Sequence, residues 1–334
     1  MFKKILVPLD GSTVSEEALP LAAHVACVSN GELFLLHIVP SSTVPLYPGT
    51  PTDIVAPMKE HVFTNVQTYL DHAIAHAHLD TLNVQTEILV GEAVSTIIKT
   101  AVAHKVDLII LRSHGKTGLS RWLTGNTAHH LVRNSPVPVL VLKDTPNKPE
   151  AYMHRPRILV ALDGSAFAET ALLPAAQLSE TLAFPRQGTI HLTYVVEKLT
   201  SNGYRTHAQA AQLNRDARAQ AEDYLTRMQE RFLTGDLSPY LLEVTTSVVS
   251  YTDVDDITKR IVEESSCIGD VLGFTGCDMI AMATHGRHGF QHLLLGSFTE
   301  GVLDTAQQPL LIVHPSKMET RESASLSQDS LLTS

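Results

Sequence analysis

Short, continuously apolar runs recur along the chain, and each is followed by a stretch with helical periodicity. Residues 5–9 (ILVPL) are apolar throughout, as expected of a parallel strand buried on both faces. Beyond them Ala18, Leu19, Ala22, Ala23 and Ala26 return at helical spacing, and Thr13 with Glu16 has the spacing of a capping box. The same patterns predict strands at 32–39, 84–90, 107–113 and 137–142, with helices over 58–78, 93–104 and 125–134. Residues 40–57, rich in Pro, Ser and Thr, read as a long loop or lid. A second series of apolar runs lies at 158–162, 189–196, 242–249, 279–283 and 310–313. Strands alternating with helices predict a parallel α/β sheet with right-handed crossovers.

The second series repeats the first. KILVPLDGSTVSEEALPLAAHVA, starting at Lys4, is matched by RILVALDGSAFAETALLPAAQLS, starting at Arg157. RSHGKTGLSRWLTGN, from Arg112, is matched by ATHGRHGFQHLLLGS, from Ala283. The offset grows from 153 to 171 positions, so the second copy carries 18 extra residues, placed near 182–188 and 265–276. A repeat of this length is a duplicated domain, since solenoid units are roughly 20–50 residues. The expected division is residues 1–143, a linker over 144–156 with three prolines, residues 157–315, and a disordered tail over 316–334. Ala166 stands where the first copy has Thr13, so the second copy's first helix is expected to start differently.

Composition narrows the function classes. With 334 residues, each half is large enough for its own core. A formal net charge of −10 argues against a nucleic-acid-binding surface. The start, MFKKILVPLD, has too short an apolar run for a signal peptide, and no stretch is long enough to span a bilayer, so the expected location is cytoplasmic. Cys27, Cys267 and Cys277 match no zinc spacing and read as buried free thiols.

The repeated motifs carry the candidate chemistry. Asp10 and Asp163 end the first strand of each copy, and Ser113-His114-Gly115 and Thr284-His285-Gly286 end the fourth. Open α/β sheets bind ligands beyond the carboxyl ends of their strands, where the strand order reverses. If strands one and four are neighbours, both motifs meet at one crevice. Gly115 and Gly286 let backbone N–H groups approach a ligand closely. Gly125-Asn126 and Gly296-Ser297 each open a helix, whose N-terminus suits an anion. The aspartates repel phosphate and instead suit a ribose hydroxyl, an adenine amine or a metal. An asparagine at 163, keeping one acceptor oxygen, is expected to be a milder change than alanine.

In these motifs the chain resembles the universal stress protein family in its tandem form, over nearly everything except linker and tail. The resemblance implies two doubly wound α/β domains, each a five-stranded parallel sheet flanked by helices, of the adenine nucleotide alpha hydrolase-like type. It implies an adenine nucleotide, ATP or AMP, with Mg2+ as an accompanying ion. Carried onto the second copy, the family's pattern gives Asp163, Val195, Ala283, His285, Gly286, Gly296, Ser297 and Thr299. Carried onto the first, it gives Asp10, Ile38, Ser113, Gly115, Gly125 and Asn126. The first glycine of the pattern is Ala283 in one copy and Arg112 in the other. Alanine is a small change. Arginine is large, and its guanidinium either crowds the pocket or pairs with a phosphate. The second copy is therefore expected to bind more tightly.

Other features read blandly. Gly115-Lys116-Thr117 lacks the upstream glycine of a phosphate-binding P-loop, because Ile110 stands there. His72 and His76 lie one helical turn apart on what reads as a solvated face, and Asp253, Asp255 and Asp256 read as a charged helix start. The sequence thus points to a non-catalytic nucleotide-binding stress regulator. A slow ATPase or phosphotransferase is the alternative, as is a scaffold whose first domain has lost nucleotide binding. The fifth strands, each preceded or entered by a proline (Pro138, Pro309), are expected to pair as an intramolecular pseudo-dimer, and a homodimer of whole chains stays open.

Overall fold

A computed structural model describes residues 1–43, 52–113, 125–143, 156–201, 206–253, 256–267, 276–284 and 295–314. The chain divides into two compact units, Met1–His154 and Arg155–Ser334. In the first unit the order is β1 (Lys4–Leu9), α1 (Thr13–Glu16), α2 (Leu19–Ser29), β2 (Glu32–Pro40), α3 (Thr52–His76) and β3 (Asn83–Gly91). It continues with α4 (Ala93–Ala103), β4 (Leu108–Arg112), α5 (Gly125–Asn134) and β5 (Val139–Leu142). The second unit repeats it as β6 (Arg157–Leu162), α6 (Ala166–Glu169), α7 (Leu172–Ala183), β7 (Gly188–Glu197) and α8 (His207–Leu233). It ends with β8 (Leu242–Tyr251), α9 (Asp256–Cys267), β9 (Met279–Ala283), α10 (Leu295–Thr305) and β10 (Leu310–Val313).

Within the first unit the strands lie in the order β3-β2-β1-β4-β5, all parallel; within the second the order is β10-β9-β6-β7-β8, again parallel. The chain winds outward from β1 to β3, then returns to β4 on the other side of β1. Right-handed crossovers in two directions put helices on both faces. The apolar runs of the central strands are accordingly buried: Ile5, Leu6, Val7 and Leu9 in β1 and Ile158, Leu159 and Val160 in β6. An aspartate fixes the neighbour relation that matters for the site. Asp107 Oδ2, just before β4, accepts from the amides of Lys3 and Lys4 at 2.8 and 2.9 Å, and Asp278 Oδ2 accepts from Arg157 N at 2.8 Å.

Strand registers locate the extra residues of the second unit. Lys4 lies opposite Glu32 and Arg157 opposite Thr189, so the offset has grown from 153 to 157 by the second strand. Glu32 opposite Asn83 and Thr189 opposite Glu243 raise it to 160, and Ile5 opposite Leu108 with Ile158 opposite Met279 raise it to 171. Eleven of the 18 extra residues therefore fall between β8 and β9, four between β6 and β7, and three in the crossover that contains α8.

Two local expectations are corrected. The N-cap of α1 is Ser12, whose hydroxyl accepts from Ser15 N, so Thr13 and Glu16 form no capping box. The second unit starts its helix in the same way, with Ser165 accepting from Ala168 N, rather than differently. The repeated Asp-Gly-Ser sets the start in both, and position 13 or 166 already lies inside the helix. Also, α3 begins at Thr52, six residues before the expected 58; of the proposed lid, residues 44–51 lie outside the described residues.

Candidate functional site

Asp10 and Asp163 stand just beyond the carboxyl ends of β1 and β6, at the switch point of each sheet. Each uses one oxygen to organise the turn that follows. Asp163 Oδ1 accepts from Ser165 N at 2.9 Å and Ser165 Oγ at 2.6 Å; Asp10 Oδ1 accepts from Ser12 N at 3.0 Å and Ser12 Oγ at 2.5 Å. The turn passes through Gly164 at φ +83°, a conformation that side chains disfavour, and a Cβ there would lie 2.9 Å from Tyr194 Oη. Tyr194 donates to the Asp163 carbonyl at 3.1 Å, and burial together with Asp163 raises its phenol pKa, so it stays a neutral donor. The second carboxylate oxygen, Oδ2, is buried in both units and has no hydrogen-bond partner among the described residues. A buried carboxylate oxygen without a donor is costly, and a ligand hydroxyl or amine would satisfy it.

In the second unit this aspartate opens onto a cleft of about 110 Å³. Its floor is the tips of the central strands, Ala161, Leu162, Met282 and Ala283. Its walls are Val195 and Tyr251 from the ends of β7 and β8, Ile257 and Ile261 from α9, Ala168 from α6, and Phe298 from α10. Asp163 is the only charged residue among the described lining residues. Such a cleft suits a flat, mostly apolar group that carries a hydrogen-bond donor at one edge. The Tyr251 phenol is held neutral, its pKa raised by burial, then by Glu197 and Tyr194.

The structure thus brings Asp163, Val195 and Ala283 together at one cleft. Thr299 is buried in the first turns of α10, beside the cleft residue Phe298. Gly296 and Ser297 lie in the first turn of α10, as their opening of a helix predicts. His285 and Gly286 lie outside the described residues. Tyr251, Ile257, Ile261, Met282 and Phe298 were not anticipated. Tyr251 and Met282 had a signal, since residues at strand ends point to the switch point. The α9 and α10 residues had none beyond helical periodicity.

The first unit differs at its matching positions. Asp10 and Ile38 are buried, Ser113 follows β4, and Gly125 and Asn126 open α5; His114 and Gly115 lie outside the described residues. Arg112, the counterpart of Ala283, is only 8% exposed. Its guanidinium pairs with Glu17 Oε2 at 3.0 Å and donates to the carbonyl oxygen of Lys143. Of the two roles expected for it, crowding or a phosphate contact, the protein itself already supplies an anion. Where the second unit has Tyr194, the first has His37, packed edge-on against Tyr69 at 5.9 Å; burial lowers its pKa and Asp10 opposes that shift.

Among the described residues no group of three His, Cys, Asp or Glu side chains could hold a metal ion, and His72 and His76 are exposed on α3. No described helix is long and apolar enough to cross a membrane.

Comparison with known proteins follows the same two-part division. The model of the universal stress protein family matches residues 1–143 and again 154–314. A universal stress protein of Methanocaldococcus jannaschii is 33% identical over 148 residues, 43% of this chain and 83% of its own length. One of Mycobacterium tuberculosis is 24% identical over 323 residues, 93% of this chain and 97% of its own. Among solved structures, a universal stress protein from Archaeoglobus fulgidus has a TM-score of 0.57 at 20% identity, covering 94% of this chain and 97% of its own, which supports the fold. Two matches of one family model, each on a unit with the same strand order and the same Asp-Gly-Ser turn, lead to one conclusion: the chain belongs to the universal stress protein family and carries the family's domain twice in tandem.

Proposed function

We propose that the second unit binds an adenine nucleotide, ATP or AMP, with its nucleoside end in the cleft, and that the protein is a non-catalytic, nucleotide-responsive stress regulator. The observation that carries this reading is Asp163 Oδ2, a buried acceptor with no described partner at the edge of an apolar cleft. A ribose hydroxyl or an adenine amine supplies the missing donor, and Val195, Ala283 and Tyr251 supply apolar contact. The nucleotide's phosphates would run toward His285, Gly286 and the opening of α10 at Gly296 and Ser297, where Thr299 adds a hydroxyl in the same turns. Mg2+ enters as the counter-ion of those phosphates, since the described acidic groups form no cage for it. No motif in the sequence supplies a base together with a metal pair, so slow hydrolysis is the lesser reading.

The first unit favours a second reading, in which Asp10, Ile38, Ser113, Gly115, Gly125 and Asn126 form a weak or lost site. The ion pair of Arg112 with Glu17 supports it. The binding units are taken as residues 1–143 and 157–315, with 144–156 as linker and 316–334 as tail. We further propose that the units pair through β5 and β10, each an edge of its own sheet order, in a chain located in the cytoplasm without nucleic-acid partners; the net charge of −10 supports the last point. Calorimetric titration with ATP, AMP, adenosine and pyrophosphate, together with single-turnover hydrolysis, tests the reading. One tight nucleoside-dependent event per chain without turnover is expected. Binding that pyrophosphate reproduces in full, or stoichiometric hydrolysis, overturns it.

A further inference from the structure

The second unit contains a buried polar cluster that the nucleotide reading does not use. His191, on β7, is 4% exposed. Its Nδ1 lies 2.7 Å from Thr245 Oγ1 and its Nε2 2.9 Å from Ser247 Oγ, both on the neighbouring strand β8. Thr193 Oγ1 lies 3.1 Å from Ser247 Oγ. Over this ring sits Glu264 of α9, with Oε1 3.5 Å from His191 Nε2. The histidine and its hydrogen bond hold the Glu264 carboxyl below its usual range against the opposing effect of burial. The first unit is built differently at the matching register positions: its pair has the glutamate on the strand and the histidine at the end of α4, Glu87 Oε2 lying 3.3 Å from His104 Nε2, and it is more exposed. Phe34 stands for His191, with Gln85 and Glu87 for Thr245 and Ser247, and Phe34 packs its ring 4.5 Å from His104.

The cluster and the cleft share one helix and one sheet face. Side chains alternate along a strand, so His191, Thr193 and Val195 point to the same side, as do Thr245, Ser247 and Tyr251. Val195 and Tyr251 line the cleft; His191 and Ser247 lie four residues earlier, roughly 13 Å toward the amino ends of the strands. On α9, Ile257, Ile261 and Glu264 are spaced i, i+4, i+7 and fall on one helical face. The first two of these wall the cleft, and the third is tied to His191. The helix is therefore held over the sheet at two places, by the cleft at its start and by an ionisable pair near its end.

We propose that His191 and Glu264 are positioning residues for the cleft: protonation of His191 turns its contact with Glu264 into a buried ion pair, seats α9, and tightens nucleoside binding by the second unit. The proposal rests on the reading of the cleft as the nucleoside site. A neutral imidazole offers one N–H to Thr245, Ser247 and Glu264 together, whereas an imidazolium offers two and adds a charge opposite a carboxylate. Among the described residues, the neighbouring ionisable groups are Arg157 at the start of β6, Cys277 and Asp278 before β9, Glu243 on the same face of β8 as Thr245, Lys259, Arg260 and Glu263 on α9 itself, and Glu300 and Asp304 on α10, which packs against α9. The Cys277 thiol, pushed up to about 12 by burial, stays neutral across the range in question. Arg157 keeps its charge throughout. Histidine is the side chain that ordinarily changes charge between about pH 5 and 8.

Two measurements on the full chain test this, with His191→Phe, which copies the residue at Phe34, and Glu264→Gln, which keeps the shape but not the charge. The first is hydrogen exchange of the α9 amides in ligand-free protein at pH 5.5 and pH 8, corrected for intrinsic rates. Wild type should show about tenfold greater protection at the lower pH, and both variants should show no pH difference. The second is calorimetric titration with adenosine at the two pH values. Wild type should bind about fivefold more tightly at pH 5.5, and Glu264→Gln should bind with the wild-type affinity of pH 8 at both. Equal α9 protection at the two pH values in wild type, or an unchanged pH difference in folded Glu264→Gln, overturns the proposal. Protection that responds to pH while adenosine fails to bind at either value overturns the nucleoside reading and the coupling with it, but leaves the seating of α9 by His191 standing.

Discussion

Asparagine at position 163 separates the two jobs of that aspartate. In wild type Oδ1 is committed to Ser165, accepting from its N–H and its hydroxyl, while Oδ2 is buried without a described partner on a residue that lines the cleft. In Asp163→Asn the amide oxygen stays with Ser165, because both of those donors need an acceptor. The amide NH2 then replaces Oδ2, and a donor meets the ligand's donor. The variant should keep the turn and lose the ligand contact. A hydrogen bond to a charged acceptor is worth about 1.5–3 kcal/mol, so adenosine and ATP affinity should fall by about 10- to 150-fold. Asp163→Ala should lose as much affinity and also the support of the α6 cap, about 0.5–2 kcal/mol of stability, seen as a melting temperature lower by a few degrees. Pyrophosphate affinity should be nearly unchanged in both. Calorimetry with the three ligands and thermal unfolding of each variant make the comparison. Adenosine binding by Asp163→Asn within twofold of wild type would refute the role of Oδ2. Equal destabilisation by the two substitutions would refute the division of labour.

The two units should differ in affinity by about tenfold or more, the second being tighter, since Arg112 already holds Glu17 and Ala283 leaves its cleft open; Gly286→Val abolishing only the weaker of two calorimetric events would reverse that ranking. Ala283→Arg should remove the tighter event and also lower the melting temperature, because Ala283 is buried and Thr170 stands where Glu17 pairs with Arg112; a titration that keeps the tighter event contradicts this. Thiol labelling at pH 8 followed by peptide mapping should mark exposed Cys27 and spare Cys277, which is buried with a thiol pushed up to about 12; equal labelling of both in the folded protein contradicts this. Because the Glu264 carboxyl is depressed in the folded state, its contribution to stability is present above the ordinary value of 4.5 and is lost as pH falls below it. Urea unfolding from pH 7 to pH 3 should therefore show a steeper acid loss in wild type than in Glu264→Gln.

The strands were legible because parallel, doubly covered strands are written as unbroken apolar runs. The neighbour relation of β1 and β4 stood as a condition in the sequence reading, and the strand pairing meets it. What stayed hidden was side-chain allocation at the turn. Thr13 and Glu16 have capping-box spacing, yet Ser12 takes the cap, because Asp10 draws its N–H and hydroxyl together first. The shared Asp-Gly-Ser was the readable signal, and it also tells that both units start alike. For the same reason asparagine at 163, a mild change as read from the sequence, is expected from the structure to cost the ligand contact, since one oxygen is already in use. At the site, Asp163 was readable as the end of a strand, whereas Val195 and Ala283 came from the resemblance to the family. Ile257, Ile261 and Phe298 were not readable, since a helix face that walls a cleft has the same periodicity as one that packs on a core. Whether Arg112 crowded the crevice or reached for phosphate depended on Glu17 and the Lys143 carbonyl, partners that are distant in sequence or belong to the backbone.

The uneven placement of the 18 extra residues has a practical side. Lengthening a connection is thermodynamically cheap, with each doubling of a flexible loop adding only about 0.6 kcal/mol of closure entropy. Slipping a strand by one position turns every side chain to the opposite face. The second unit has absorbed all of its growth in crossovers, most of it between β8 and β9, and its strand-to-strand registers match those of the first. That crossover, outside α9, is thus the natural port for cargo: a fluorescent reporter or an affinity tag spliced between α9 and β9 would ride on a connection already lengthened, while the strand tips and the α9 residues that form the cleft keep their places.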